Sequence, residues 1–185
     1  MYKVIGVLRD VSLEDFRGVV NDLEYRCAWD VYTHSLGSVK ELEAVAIDSE
    51  DTEKKSEGGD LIQWRVKFNF PFISDREYLF TRHVAIVDDT IIFLDKQADD
   101  DMHPPKKSVT RVANYNNAIC LHQVGNDVVM GQDYLTALDL RMSLPNWLIN
   151  WAAGAGVKSI LGLYRDAIQK YPGWKEGDKK GTKKK

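Results

Sequence analysis

Cysteine is scarce: Cys27 and Cys120 are the only two in 185 residues, far apart and outside any Cys-x-x-Cys. That excludes a disulfide framework and a thiolate zinc site, and predicts two reduced, half-buried thiols in a cytoplasmic protein. No run of about 18 apolar residues is present, so no segment is suited to cross a bilayer as a helix. Met1-Tyr2-Lys3-Val4 runs into Gly6 and Arg9 without the apolar stretch of a signal peptide. The four histidines, His34, His83, His103 and His122, show no i,i+3 or i,i+4 pairing and read as surface or strand residues rather than ligands. Asp99-Asp100-Asp101 lacks the glycine turn and distal glutamate of a calcium loop. Gly154-Ala155-Gly156-Val157-Lys158-Ser159 has the wrong spacing for a phosphate loop, and no Gly-x-Ser-x-Gly elbow or nucleophile with a local base occurs. With no metal, cofactor or catalytic pattern to build on, the expectation is a binding protein and not an enzyme.

What is present suits a single soluble domain. Hydrophobic residues make up 44% and charged residues 29%, which predicts a real core and argues against wholesale disorder. Charge is unevenly placed. Gly173 to Lys185 carries six Lys against Glu176 and Asp178, so the net charge of −3 leaves about −7 on the first 172 residues. An acidic body is a poor nucleic-acid binder, because phosphate neutralisation needs a concentrated basic surface. The division expected is a domain over 1–172 and a basic, disordered, solubilising tail over 173–185. A weak contact of that tail with anionic lipid is the alternative.

Tyr2 to Leu8 reads as a strand, and Ser12 with Glu14 and Asp15 opens a short helix carrying Leu13, Phe16, Val19 and Val20 on one side. Val39 to Ile47, Leu61 to Phe70, Glu77 to Val87 and Ile91 to Asp95 are β-rich, with Asp88-Asp89 as a tight turn. Val109 to Tyr115, Ile119 to Val124 and Val128 to Leu140 continue a run of antiparallel strands, joined partly through Gly125-Asn126-Asp127. The period then changes. Val157, Ile160, Leu161, Tyr164, Ala167, Ile168 and Tyr171 recur at three- and four-residue steps, which predicts an amphipathic helix. Pro145 in its first turn and a stop at Pro172-Gly173 give about 26 residues, or roughly 39 Å. Such a helix must bury its apolar face on the sheet, and a sheet coiled round it either packs solid or encloses a cavity.

A few residues invite more than a packing role. Gly154, Gly156 and Gly162 weaken the predicted helix and suit either close packing or a first half able to lift as a lid. Trp147 and Trp151 add a large apolar surface there, suited to core or to a membrane interface. Arg26 and Asp30 stand four apart, able to pair on one helical face. Trp64, Tyr78 and Tyr115 lie in separate strands, where packing is the ordinary role.

Tyr2-Lys3-Val4-x-Gly6-Val7-Leu8, Tyr25-Arg26-x-x-Trp29-Asp30, Phe70-Pro71, Ser74-Asp75-Arg76-Glu77-Tyr78 and Pro145-x-Trp147-Leu148-Ile149-Asn150-Trp151-Ala152-Ala153 together resemble START-type lipid-transfer domains, in order, from Tyr2 to about Tyr171. The resemblance implies an α+β helix-grip fold, a curved antiparallel sheet wrapped around a long C-terminal helix, enclosing one lipid. It implies further that the family's N-terminal helix and first two strands are missing here, leaving an open sheet edge. In the phosphatidylcholine-binding branch of that family, an aromatic cage holds the choline, and Trp64, Tyr78 and Tyr115 match it. Arg26 matches the phosphate-contacting arginine, with Asp30 as its partner, while Val20 stands where a tyrosine would add a hydroxyl. In a carrier the loop around Phe70 to Ile73, with Phe72, and the Trp147 to Val157 part of the helix, with Trp147, Trp151, Gly154 and Gly156, would act as gate and membrane contact, the loop's aromatics suiting plain core as the alternative. The function so implied is a carrier of a glycerophospholipid, phosphatidylcholine first, between membranes. A lipid-responsive protein-interaction module without transfer is the second expectation.

Overall fold

The computed structural model describes residues 2–42, 54–67, 74–99, 103–105, 108–134 and 146–177. The elements run β1 (Tyr2–Leu8), α1 (Leu13–Asn21), α2 (Leu23–Trp29), β2 (Thr33–Leu42), β3 (Lys54–Val66), β4 (Arg76–Val87), β5 (Thr90–Gln97), β6 (Thr110–Arg111), β7 (Asn116–Val124), β8 (Asp127–Tyr134) and α3 (Asn146–Glu176). The strands form one sheet in the order β1-β8-β7-β5-β4-β3-β2, every neighbouring pair on that path being antiparallel. β1 and β2 form its edges, and Ile5 and Val7 on β1 are exposed.

Two short helices bridge the first strand to the rest, and their ends explain where they stop. Ser12 Oγ accepts from the Asp15 amide at 3.3 Å to start α1. Asp22 then closes α1 and opens α2, its carboxylate accepting from the Tyr25 amide at 2.8 Å and from Trp174 Nε1 at 3.1 Å. One aspartate thus ties three helices. Phe16, Val19 and Val20 are fully buried, each stabilising the fold by about 1.5–3 kcal/mol relative to exposure. They meet Tyr164, Ala167, Ile168 and Tyr171 of α3 and Val84, Phe93, Ile119, Leu121 and Met130 of the sheet in one core. Gly18 is required by this packing, because a Cβ there would overlap the Tyr171 ring.

The structure corrects several sequence expectations. α3 does not stop at Pro172-Gly173; it runs through both to Glu176, 31 residues or about 46 Å. The last turn is held from outside: Trp174 is buried, 5.1 Å from the Tyr25 ring, and Lys175 pairs with Asp15 at 2.8 Å. Pro172 itself is exposed, where loss of one helical hydrogen bond is tolerated. Val109 to Tyr115 is not a full strand, since only Thr110–Arg111 pairs, and it does so parallel to β4. It extends the β4 edge where β5 ends, after which Asn114 takes a left-handed φ of 65°. β2 begins at Thr33 rather than Val39 and β3 at Lys54 rather than Leu61, while the expected continuations over 43–47 and 68–70 lie outside the described residues. Cys27 is exposed rather than half-buried, while Cys120 is partly covered as expected. The strand read over Val128 to Leu140 is present to Tyr134, and its remainder lies outside the described residues.

Candidate functional site

Period-2 geometry puts Tyr78, Phe80, Arg82 and Val84 on one face of β4, and this inner face organises the site. Trp64 of β3 stands directly opposite Tyr78 in the register. Their rings are 5.1 Å apart; Tyr78 meets Tyr115 at 5.0 Å, and Tyr115 meets Phe80 at 5.0 Å. With Ile62 these rings form a second apolar cluster, separate from the main core. The structure therefore brings together the three aromatics singled out in the sequence. Burial pushes the Tyr78 phenol above its ordinary value, against the opposing effect of Arg76, so the ring presents a neutral π face at physiological pH.

Arg26 and Asp30 reach the same cluster. The Arg26 guanidinium carbon lies 4.8 Å from the Trp64 ring centroid and 5.8 Å from that of Trp29, and Nε donates to Asp30 Oδ2 at 3.2 Å. The pair is largely covered, with side-chain exposures of 12% and 8%, so it is no solvated surface pair. Asp30 also accepts from Thr33 Oγ1 at 2.9 Å and from the Tyr32 amide at 3.1 Å. Thr33 Oγ1 in turn accepts from Trp64 Nε1 at 2.9 Å. A continuous hydrogen-bonded chain thus runs from Arg26 through Asp30 and Thr33 to the indole, fixing the guanidinium and the ring relative to each other.

Behind the rings lies a buried polar network that the sequence reading missed. Arg82 grips Asp95 bidentately, Nε to Oδ1 at 2.7 Å and Nη2 to Oδ2 at 2.9 Å, and donates through Nη1 to the Val20 carbonyl at 2.9 Å. Asp95 Oδ2 also accepts from Asn117 Nδ2 at 3.0 Å and from the Tyr115 hydroxyl at 3.3 Å, while Gln132 donates to Asn117 at 3.0 Å. All four polar residues are buried. Burial pushes the Arg82 guanidinium down, but the charge and hydrogen bonds of Asp95 outweigh it, so Arg82 stays above its ordinary value. A signal existed: Arg82, Asp95, Asn117 and Gln132 each share the inward parity of apolar residues on β4, β5, β7 and β8.

The remaining candidate residues, or their side chains, lie outside what the structure describes. Phe72 lies outside the described residues. Trp147, Trp151, Gly154 and Gly156 fall within α3, on the half of that helix whose side chains lie outside the described residues. Two surface hollows are defined among the described residues, about 620 Å³ between α2 and α3 and about 690 Å³ beside the β1–α1 loop, and neither is lined by Trp64, Tyr78 or Tyr115.

An antiparallel sheet packed against a long C-terminal helix, with arginine and aromatics gathered on its inner face, defines an α+β helix-grip protein. A START domain family model matches residues 1–171, and the chain belongs to that family. Among curated relatives, it is 31% identical over 175 residues to the phosphatidylcholine transfer protein of Bos taurus, covering 92% of this chain and 74% of that protein. Against the Mus musculus protein of the same name the identity is 32%, with 73% of that protein covered. The crystal structure of human STARD10 superposes with a TM-score of 0.74 at 19% identity, covering 95% of this chain and 66% of that one. Human StAR-related lipid transfer protein 5 gives 0.71 at 16% identity, covering 91% and 75%. These two structures share the fold.

Proposed function

We propose that this chain is a non-enzymatic lipid carrier that binds one glycerophospholipid, phosphatidylcholine, and moves it between membranes from the cytoplasm. The observation that carries the reading is the contact of Trp64, Tyr78 and Tyr115 with one another beside the Arg26–Asp30 pair. A quaternary ammonium has no N–H to donate, so π faces are its natural partners, each contributing about 0.5–2 kcal/mol when desolvated. A phosphodiester is met best by a guanidinium, which a neighbouring carboxylate holds in place. The two halves of a phosphocholine head group thus find their two chemistries within one cluster. The names and sequence similarity of the transfer proteins support the same reading.

In this reading the acyl chains lie against the apolar faces of sheet and helix, and the loop at Phe72 with the Trp147–Gly156 part of α3 forms the gate and the transient membrane contact. The domain ends with the last turn of α3, and the basic residues that follow assist contact with anionic lipid. Incubating the protein with vesicles that mix choline, ethanolamine and sterol lipids, then identifying the bound lipid by native mass spectrometry, tests the head-group assignment. Selective uptake of the choline lipid is expected, and equal uptake of all three refutes it. Transfer of labelled phosphatidylcholine between vesicles tests the carrier role; binding with transfer at background favours an interaction module instead.

A further inference from the structure

The sheet ends in two edges of unlike character. β2 carries two register irregularities against β3, and its exposed positions are polar, among them His34, Ser38, Lys40 and Glu41. Bulges and charges of this kind blunt an edge against further pairing. β1 has neither device: its ladder with β8 is regular from Tyr2 to Leu8, and no strand lies beyond it among the described residues. Period-2 geometry sends Lys3, Ile5 and Val7 to the outer side, where Ile5 is 69% and Val7 54% exposed. The inner side is closed, since Leu8 is buried and Leu161 of α3 reaches over Gly6. What β1 leaves open is therefore its edge, a row of backbone N–H and C=O groups facing away from β8, with two apolar side chains beside it.

We propose that this edge pairs with the same edge of a second copy, antiparallel about a two-fold axis through Ile5, so that the two sheets run on as one. β1 is self-complementary in that register. Tyr2 meets the partner's Leu8, Lys3 the partner's Val7, Val4 the partner's Gly6 and Ile5 the partner's Ile5, so the whole of the strand is paired. Both exposed apolar residues are covered. Ile5 packs on its symmetry mate, and Val7 lies under the methylene stem of the partner's Lys3, an ammonium that stays 3.6 Å from Asp133 in each copy. The next symmetric register, with Gly6 on the axis, pairs only Val4 to Leu8 within the strand and sets Lys3 against the partner's Arg9, two like charges. An edge of 7 residues is about 23 Å long and falls well short of the roughly 1,600 Å² of a standard interface, which makes the dimer reversible and dependent on concentration. The ring cluster on β3 and β4 lies towards the opposite edge, so pairing leaves the lipid site free, whichever lipid it takes.

Sedimentation of the full chain from about 1 μM to about 1 mM tests this. A monomer–dimer equilibrium with a midpoint of about 10–100 μM is expected, and Ile5→Lys, which sets two lysines face to face on the axis, should weaken it about tenfold or more. Leu94→Lys, on the outer side of β5 and 48% exposed but away from the edge, should leave it unchanged. Both positions are exposed, so both variants retain the fold. Cross-linking fixes the register. In a Cys27→Ser background, which removes the exposed native thiol, Ile5→Cys treated with oxidised glutathione should form a disulfide-linked dimer, because facing residues stand within disulfide reach. Val7→Cys should not, since its two copies stand four residue steps, about 13 Å, apart along the strands. A monomer at every concentration overturns the inference, and slow exchange of the β1 amides in that monomer assigns the edge to another segment of its own chain. A dimer lost with Leu94→Lys and kept with Ile5→Lys overturns it by moving the contact to the outer face, and cross-links formed equally at positions 5 and 7 overturn the register.

Discussion

Replacing Arg82 by Met strands Asp95, whose side chain has no exposure, in a low-dielectric layer between the two apolar clusters. Asp95 keeps hydrogen bonds from Asn117 and Tyr115, yet loses both guanidinium bonds and the charge that offsets its own. Breaking a buried pair in this way costs about 3–5 kcal/mol. For a domain of this size each kcal/mol lowers Tm by about 2–4 °C, so R82M should melt about 6–20 °C below the wild type. Calorimetry and urea unfolding at pH 7 measure it. The double variant R82M/D95L removes both charges and should recover most of the lost stability, because two apolar side chains leave no uncompensated charge behind. It should nevertheless bind choline lipid more weakly, since Tyr115 loses its hydroxyl anchor. A single variant within about 1 kcal/mol of the wild type, or a double variant worse than either single, refutes the account of the network.

Other outcomes follow from the same geometry. Gly18→Ala forces a methyl into the Tyr171 ring and should destabilise by about 1–3 kcal/mol in chemical denaturation, whereas a neutral effect would mean that α1 and α3 separate readily. Tyr115→Phe keeps the ring but drops its bond to Asp95; phosphatidylcholine affinity should fall several-fold with little change in Tm, and unchanged affinity would show that the anchor does not matter. The Tyr25 phenol donates to the Ala167 carbonyl at 2.7 Å, and burial, then the charges of Asp22 and Tyr171, push its pKa up. A phenol raised in the folded state adds stability below its unfolded pKa near 10, and that stability is lost as pH climbs through the folded value. Unfolding free energy should therefore drop above about pH 10, less steeply in Tyr25→Phe; parallel curves for the two proteins would contradict this.

The sequence was most readable where periodicity and chemistry agreed. The β-rich run Glu77 to Val87 announces a strand, and the Arg26 to Asp30 spacing announces an ion pair, both of which the structure contains. The burial of that pair was not in its spacing; it follows from Trp64 and Trp29 closing over it, which needs tertiary placement. Thr33 to Ser38 carries few apolar residues and gives no strand signal, yet it pairs with β3 because Leu36 faces Trp64 in the register. Pro172 pointed to a helix end, but propensity yields to the buried Trp174 and its bond to Asp22. The Arg82–Asp95 layer was hidden because its members are spread over four strands and meet only through register.

The claim that the ring cluster reads a quaternary ammonium is tested most directly by lipid competition on paired proteins. Wild type and a Trp64→Leu/Tyr78→Leu variant are each loaded from vesicles with equal phosphatidylcholine and phosphatidylethanolamine of matched acyl chains, and the bound ratio is measured. The wild type should favour the choline lipid by about tenfold, equivalent to about 1.4 kcal/mol, and the variant should bind both alike. A choline preference that survives removal of the rings would contradict the account.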